Sequence, residues 1–285
     1  MTEKHVLNLG AGVQSTTLYL MAIAGEMHAI DCAIFADTGE EPGAVYKHLE
    51  WLQSLGGPPI LVRSAGRLGD DLQHGRNSTG QRFTAIPCFT QAQGSDEVGR
   101  TRRQCSKEYK TEVIERSIRR DVLGLAPRKH VPKGVRFFQY FGISWDERSR
   151  ASRIWERFHI ESSTWAEPVF PLVERQWTRA NCIEYLAGKV PHETPRSACV
   201  FCPFHRDSEW SRIKESDPEA WARAVEIDVA LRTTGAVANR DMRQTMYLHR
   251  SCKPLVQVEF RPRENVNELQ LGIGFGVECE GVCGV

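Results

Sequence analysis

The chain has 285 residues, 41% of them hydrophobic and 26% charged, with a formal net charge of +1. That length can bury a substantial core, and a charge so near zero excludes a global electrostatic case for nucleic-acid or membrane binding. No stretch approaches the ~18 apolar residues of a membrane span, and the opening MTEKHVLNLG is not a charged segment leading into an apolar run, so a cytoplasmic protein without membrane partners is expected.

Taken in chain order, His5–Leu9 (HVLNL) reads as a short buried strand that runs through Gly10-Ala11-Gly12 into a helix over Ser15–Ala24. Ile30–Ala36 reads as a fully buried strand, followed by Asp37-Thr38-Gly39 and a helical pattern over Gly43–Leu55. Pro59–Val62 follows a Gly-Gly-Pro-Pro turn as a third strand. Strand, helix, strand, helix, strand in this order predicts an α/β fold, with a Rossmann-like parallel sheet flanked by helices. Residues 64–104 are polar and weakly periodic and read as a functional loop or lid. A helix is predicted over Ser106–Val122, a buried strand over Phe137–Ile143, and helices over Arg179–Leu186 and Pro218–Arg232. The last forty residues offer one strand-like stretch, Leu255–Phe260, and a glycine-rich, cysteine-containing end. We divide the chain into a nucleotide-binding domain, 1–240, and a C-terminal extension, 241–285, packing on a cysteine site.

A strand opening through small residues into a helix exposes unpaired amides beside the positive end of the helix dipole. Gly10, Ala11 and Gly12 let the backbone approach an anion, and Ser15 and Thr16 add hydroxyls. The pattern GAGVQST is neither GxxxxGK[ST] nor GxGxxG, so neither common phosphate-loop fingerprint applies. Asp37-Thr38-Gly39 leaves the second strand at the carboxyl edge of the sheet, where open α/β folds bind ligands. An acidic residue there suits magnesium or a ribose hydroxyl, and a simple capped turn is the alternative.

Nine cysteines in a chain without an export signal suggest metal or redox chemistry rather than disulfides. Cys32 and Cys182 sit in apolar or helical patterns and read as core residues. Cys199-Val200-Phe201-Cys202-Pro203 has a C-x-x-C spacing that suits two thiolates on one metal, or a redox pair. Cys105 lies among Arg100, Arg102, Arg103, Lys107 and Lys110, which favour its thiolate. That basic stretch, with Arg116, Arg119 and Arg120, reads either as a phosphate or polynucleotide contact or as a solvated helix face balanced by Glu108, Glu112 and Glu115. The tryptophans Trp145, Trp155, Trp165, Trp177, Trp210 and Trp221 read as core residues, and His205 and His249 as satisfied structural histidines.

Six blocks, LNLGAGVQSTTLYL, IFADTGEEPGAVYKHLEWL, TRRQCSKEYKTEVI, FGISWDERSRAS, PLVERQWTRANCIEYL and SACVFCPF, resemble in order the phosphoadenosine-phosphosulfate reductase family. That family belongs to the PP-loop superfamily of adenine nucleotide α-hydrolases, and the chain is more distantly similar to the ATP pyrophosphatases of DNA phosphorothioation. The resemblance implies that Gly10 through Ser15 form the phosphate loop. Gln14 stands where the family carries aspartate, which makes Asp37 the more important carboxylate. It also implies that Gly142, Ile143, Asp146, Glu147 and Arg150 lie near the nucleotide. It implies a four-iron–four-sulfur cluster on Cys105, Cys199 and Cys202, with tetrahedral zinc as the alternative. Cys279 and Cys283, in ECEGVCGV, are the candidates for the remaining position, unless the fourth iron stays open to sulfide.

The leading expectation is therefore an enzyme that binds ATP with magnesium, adenylates an acceptor with release of pyrophosphate, and supports sulfur transfer at the cluster. Its expected partners are the adenine nucleotide, a sulfur-donor protein, a nucleic-acid substrate and a second copy of the chain. A second expectation is reduction of an adenosine phosphosulfate, with Cys279 in its Glu-Cys context as the attacking thiol and catalytic residue beside Asp37. The third is a nucleotide-binding module without turnover.

Overall fold

A computed structural model describes residues 2–77, 80, 85–92, 94, 96–160, 166–233, 236–239 and 242–260. Along the chain these form β1 (Thr2–Asn8), α1 (Val13–Ile23), β2 (Cys32–Asp37), α2 (Gly43–Ser54) and β3 (Ile60–Ser64). Next come α3 (Leu68–His74), β4 (Phe89–Gln91), β5 (Val98–Arg100) and α4 (Glu112–Ser117), the last flanked by π turns Lys107–Thr111 and Ile118–Val122. The remainder holds β6 (Val135–Phe141), α5 (Arg148–Ile160), β7 (Ala166–Val169), α6 (Pro171–Glu174), α7 (Arg179–Leu186), α8 (Asp207–Ser216), α9 (Pro218–Arg232) and β8 (Thr245–Tyr247).

Five strands in the order β3-β2-β1-β6-β7, all parallel, make a Rossmann-like α/β sheet. Successive side chains of a strand point to opposite faces, and β2 uses both. Ala33 and Phe35 pack with Leu18, Leu49, Leu52 and Leu186 on one face, whereas Cys32, Ile34 and Ala36 pack with Val113, Ile114 and Ile118 on the other. Burial on both faces is why IDCAIFA is a continuous apolar run rather than an alternating one.

A second apolar cluster lies beside the sheet. It joins Leu68 and Leu72 of α3, Trp210 and Ile213 of α8, Ala224, Ile227 and Leu231 of α9, and Met246 of β8. An antiparallel sheet, β5-β4-β8, borders it. The segment expected to be a lid, 64–104, thus contributes α3, β4 and β5. Its strands are three residues long and β4 pairs with β8, more than 150 positions away, so no local periodicity announces them. The strand expected over Leu255–Phe260 is also corrected: Leu255–Gln257 forms a 3₁₀ turn. The buried Asp228 carboxylate accepts the amides of both Leu248 (3.4 Å) and Leu255 (2.9 Å), which takes an amide a ladder would need. Cys32 and Cys182 are buried as expected, but Trp155 is half exposed. Cys279 and Cys283, and Trp165, lie outside the described residues.

Two carboxylates tie the second cluster to the sheet. Glu40, 1% exposed in its side chain, accepts Arg223 of α9 at 2.7 and 3.1 Å and the amide of Gly69 at 3.1 Å. A Cβ on Gly69 would stand 2.5 Å from Arg223 Nη2 and 2.9 Å from Glu40 Cδ, so any larger residue there must push the Glu40–Arg223 pair aside. Glu41 pairs with the buried Lys110 at 3.0 Å and accepts Ser197 Oγ at 3.3 Å. Removing one partner of a buried pair leaves the other charge under-compensated; without Arg223, Glu40 would keep only the half-exposed Arg67 at 3.2 Å. Arg223→Ala is therefore expected to lower the unfolding free energy by on the order of 3 kcal/mol. Arg250→Ala, which breaks an exposed pair with Asp207, is expected to cost less than about 1 kcal/mol. Urea unfolding of the two variants checks the contrast.

Candidate functional site

The chain moves from β1 outward to β2 and β3, then returns to lay β6 on the other side of β1. The carboxyl ends of β1 and β6 therefore flank the point where strand order reverses, the crevice in which open parallel sheets bind ligands. Leu9 N extends the ladder onto Ile34 O at 2.9 Å. Beyond it Ala11 takes a left-handed φ of 56° while wholly buried. This turn lets the amides of Gly10 and Gly12 converge on Ser15 Oγ, at 3.2 and 3.3 Å. Two amides aimed at one oxygen at a helix start form a backbone cradle for an oxyanion. Asn8, at the end of β1, accepts Gln139 Nε2 at 2.9 Å, but its own Nδ2 is buried with no hydrogen-bond partner among the described residues.

Gln14 bridges the crevice. Its Nε2 donates to Ser144 Oγ (3.4 Å) and Glu147 Oε2 (3.2 Å), and its Oε1 accepts Arg179 Nη1 (2.8 Å). Glu147 also faces Arg150 at 3.5 Å, and Arg179 N donates to Asp146 at 3.2 Å. An amide can donate to an acid and accept from an arginine at once; an aspartate at position 14 would set two carboxylates against each other. Gln14 is thus matched to Glu147. Gly142 and Ile143 are buried between β6 and this network.

Thr16 leads away from the loop in the other direction. Its Oγ1 meets His48 Nε2 at 2.8 Å, and His48 Nδ1 meets His192 Nε2 at 2.8 Å. Burial, and secondarily His192, lowers the His48 pKa to about 4.

At the end of β2, Asp37 Oδ1 accepts both Gly39 N and Tyr46 Oη at 2.8 Å. Burial and then Asp37 push the Tyr46 phenol well above its usual range, so it remains a donor. Gly39 has φ 72°, and a Cβ there would meet Arg67 Cγ at 2.9 Å, which makes the glycine obligatory in the turn. Thr38 Oγ1 lies 3.2 Å from Cys199 Sγ, and Val200 N donates to Glu40 O at 2.8 Å. The turn after β2 and the C-x-x-C are therefore joined by side chain and backbone.

Cys202 N donates to Cys199 O at 2.9 Å, closing the C-x-x-C turn, and a ring nitrogen of His205 holds the same carbonyl at 2.9 Å. Burial and then Glu41 raise the Cys199 thiol well above its usual value. Cys105 packs against the same apolar cluster as Cys199. Of the cations expected around Cys105, Lys110 is turned to Glu41, while Arg100 and Arg103 lie over the Phe204 ring at 5.6 and 5.0 Å. Among the described residues, no three His, Cys, Asp or Glu side chains converge on a single metal-ion position, and no helix is long and apolar enough to cross a membrane. Sequence reasoning assigned no role to Ser144, Arg179 or His48. All three lie inside blocks that carry the resemblance; Ser144 follows Ile143 directly and was accessible in principle, whereas His48 and Arg179 reach the loop only through the fold.

No family model, curated protein or solved structure matches this chain.

A histidine held neutral contributes stability that is complete above its unfolded value of 6.5 and is lost as pH falls toward about 4, because the unfolded chain takes up the proton first. Unfolding free energy measured in urea is expected to decline across that window, and His48→Gln to flatten the decline. An unchanged slope in the variant would remove His48 from the account.

Proposed function

We propose that this protein is a PP-loop-type enzyme that binds ATP at the carboxyl edge of β1 and β6, adenylates an acceptor and supports its thiolation. The observation that carries the reading is the 3.2 Å contact between Thr38 and Cys199, which couples the nucleotide edge of the sheet to the C-x-x-C. Support also comes from the two loop amides converging on one oxygen and from Asn8 Nδ2. A buried donor without a partner costs about 1–3 kcal/mol, a cost that a ligand oxygen at this edge would recover.

In this mechanism the amides of Gly10 and Gly12 and the hydroxyl of Ser15, which otherwise satisfy one another, turn to phosphate oxygens, while Thr16 stays on His48 and steadies the helix start. Arg179 and Arg150 supply positive charge on the β6 side, with Gln14 and Glu147 fixing their positions. An acceptor oxygen attacks the α-phosphorus, the bond from the α-phosphorus to the bridging oxygen breaks, and pyrophosphate leaves. Hydrosulfide delivered by a sulfur donor then displaces AMP from the activated carbon, with no net redox change. The protein's contribution is positioning and stabilisation of developing phosphate charge. Magnesium, a hard cation that takes oxygen ligands, would be held by Asp37 together with the phosphates and would neutralise charge on the leaving group. Cys105, Cys199 and Cys202 form an all-sulfur donor set that suits an iron–sulfur cluster, which would supply a site for sulfur. Such chemistry belongs in a reducing, cytoplasmic setting, with a nucleic acid as the acceptor class.

Calorimetric titration with ATP and with adenosine phosphosulfate, followed by assays for pyrophosphate and sulfite, tests the reading. ATP binding with acceptor-dependent pyrophosphate release is expected, and Asp37→Asn is expected to slow release by about 10²–10³-fold. Gln14→Glu, which sets a carboxylate against Glu147, is expected to weaken ATP binding about tenfold. Sulfite production from the phosphosulfate would replace this reading with the reductase, and ATP binding without turnover would leave a nucleotide-binding module.

A further inference from the structure

Trp155 reads as a core residue in the sequence, yet on α5 it is 50% exposed. It lines a cleft of about 840 Å³ together with Trp145, which opens the 3₁₀ turn Trp145–Glu147 that leads into α5. That volume lies within the range of small-ligand sites, about 300–1,000 Å³. The buried Ala151 and Phe170 give the cleft an apolar lining, and Arg148, Ser149, Ser152 and Glu156 a polar, exposed one. Both indoles are held from one side. His159 stacks on Trp155 with ring centroids 3.8 Å apart and 22° between the planes, and the Arg148 guanidinium sits over the Trp145 ring at 5.0 Å. Each contact occupies one face of its indole, and stacking a flat ligand needs only the other.

Charge narrows the class of ligand. α5 reads RSRASRIWERFHI, four arginines against one glutamate, in a chain whose net charge is only +1. Arg150 turns inward to Glu147 at 3.5 Å, whereas Arg148 and Arg153 are exposed. Aromatic faces interleaved with arginines suit a strand with unpaired bases, because bases stack on the rings while phosphates meet the guanidinium groups. Asp146 and Glu156, the acids at the cleft, suit the amino groups that base edges present. The position of the cleft also fits. Glu147 of the same 3₁₀ turn accepts Gln14 at 3.2 Å, and Asp146 accepts the amide of Arg179 at 3.2 Å. A base stacked on Trp145 therefore lies two residues along the chain from the side chain that Gln14 holds.

We propose that this cleft seats a base of single-stranded nucleic acid on Trp145 and Trp155, with Arg148 and Arg153 meeting the flanking phosphates. The proposal deepens the functional reading above by giving the acceptor a seat, and rests on that reading only in calling the bound strand an acceptor.

The full-length protein is titrated, without ATP, into short labelled single-stranded DNA and RNA and the matching duplex, with fluorescence anisotropy as the readout. Single strands are expected to bind more tightly than the duplex, whose paired bases cannot reach an indole. Trp155→Ala is expected to weaken binding at least about tenfold, and Trp155→Phe to restore most of it. Arg148→Ala is expected to reduce the slope of affinity against salt by about one. Arg250→Ala, which removes an exposed arginine paired with Asp207, is expected to leave affinity unchanged. Ultraviolet crosslinking with peptide mapping reads the unaltered chain, and crosslinks are expected at Trp145 or Trp155. Equal affinity for the duplex, an unaffected Trp155→Ala, or crosslinks confined to other segments overturns the assignment. A strand bound at Trp155 without ATP-dependent pyrophosphate release upholds the cleft and overturns the adenylating reading. Pyrophosphate release with a small acceptor and no strand binding does the reverse.

Discussion

Glu40 and Glu41 carry two carboxylates into the interior directly after β2, and each meets a cation from a distant segment. Arg223 comes from α9 and Lys110 from the π turn before α4. Burying a charge is costly unless it is paired and hydrogen-bonded, so these pairings fix how the α3–α8–α9 cluster sits against the sheet. The same short segment supplies Asp37, Thr38 and Gly39, so whatever holds the two glutamates also holds the turn at the carboxyl edge of the sheet. The backbone bond from Val200 N to Glu40 O then brings the C-x-x-C to that turn. One acidic dipeptide thereby couples the sheet edge, the second cluster and the thiols.

Charge matching also explains the loop after β1. An aspartate at position 14 would face Glu147, and glutamine avoids that repulsion while still accepting from Arg179. The loop thereby has a neutral side chain bridging the crevice between β1 and β6. Thr16 is steadied from the other side by His48, which burial keeps neutral. The loop is thus braced at both ends through side chains that carry no formal charge, Gln14 and Thr16.

Much of the sheet was legible in local pattern. IDCAIFA had to be doubly buried, and the small residues of GAGVQST had to turn a strand into a helix. The helices at 179–186 and 218–232 carry clear starts, Thr178 with Asn181 and Asp217 before Pro218. What escaped was short, charged or nonlocal. β4 and β8 are three residues each and are meaningful only as a pair. α5, RSRASRIWERFHI, carries a narrow apolar stripe, Ala151, Ile154 and Phe158, on a helix so rich in charge that its mean character hides it. Lys110 looked like part of a solvated or phosphate-facing basic run, and the fold spends it on Glu41.

By itself the sequence determined which segments could be buried strands, where glycine and small residues must turn the chain, and which side chains carry chemistry. It could do so because periodicity, turn geometry and residue type are local properties. Only the tertiary structure decided that Gln14 faces Glu147, that Thr38 touches Cys199, and that Cys88 lies in the apolar cluster bordered by Cys105 and Cys199. Those facts depend on which distant segments meet. Burial of apolar surface and pairing of buried charge settle that for the whole chain at once, and neither can be read from any one segment.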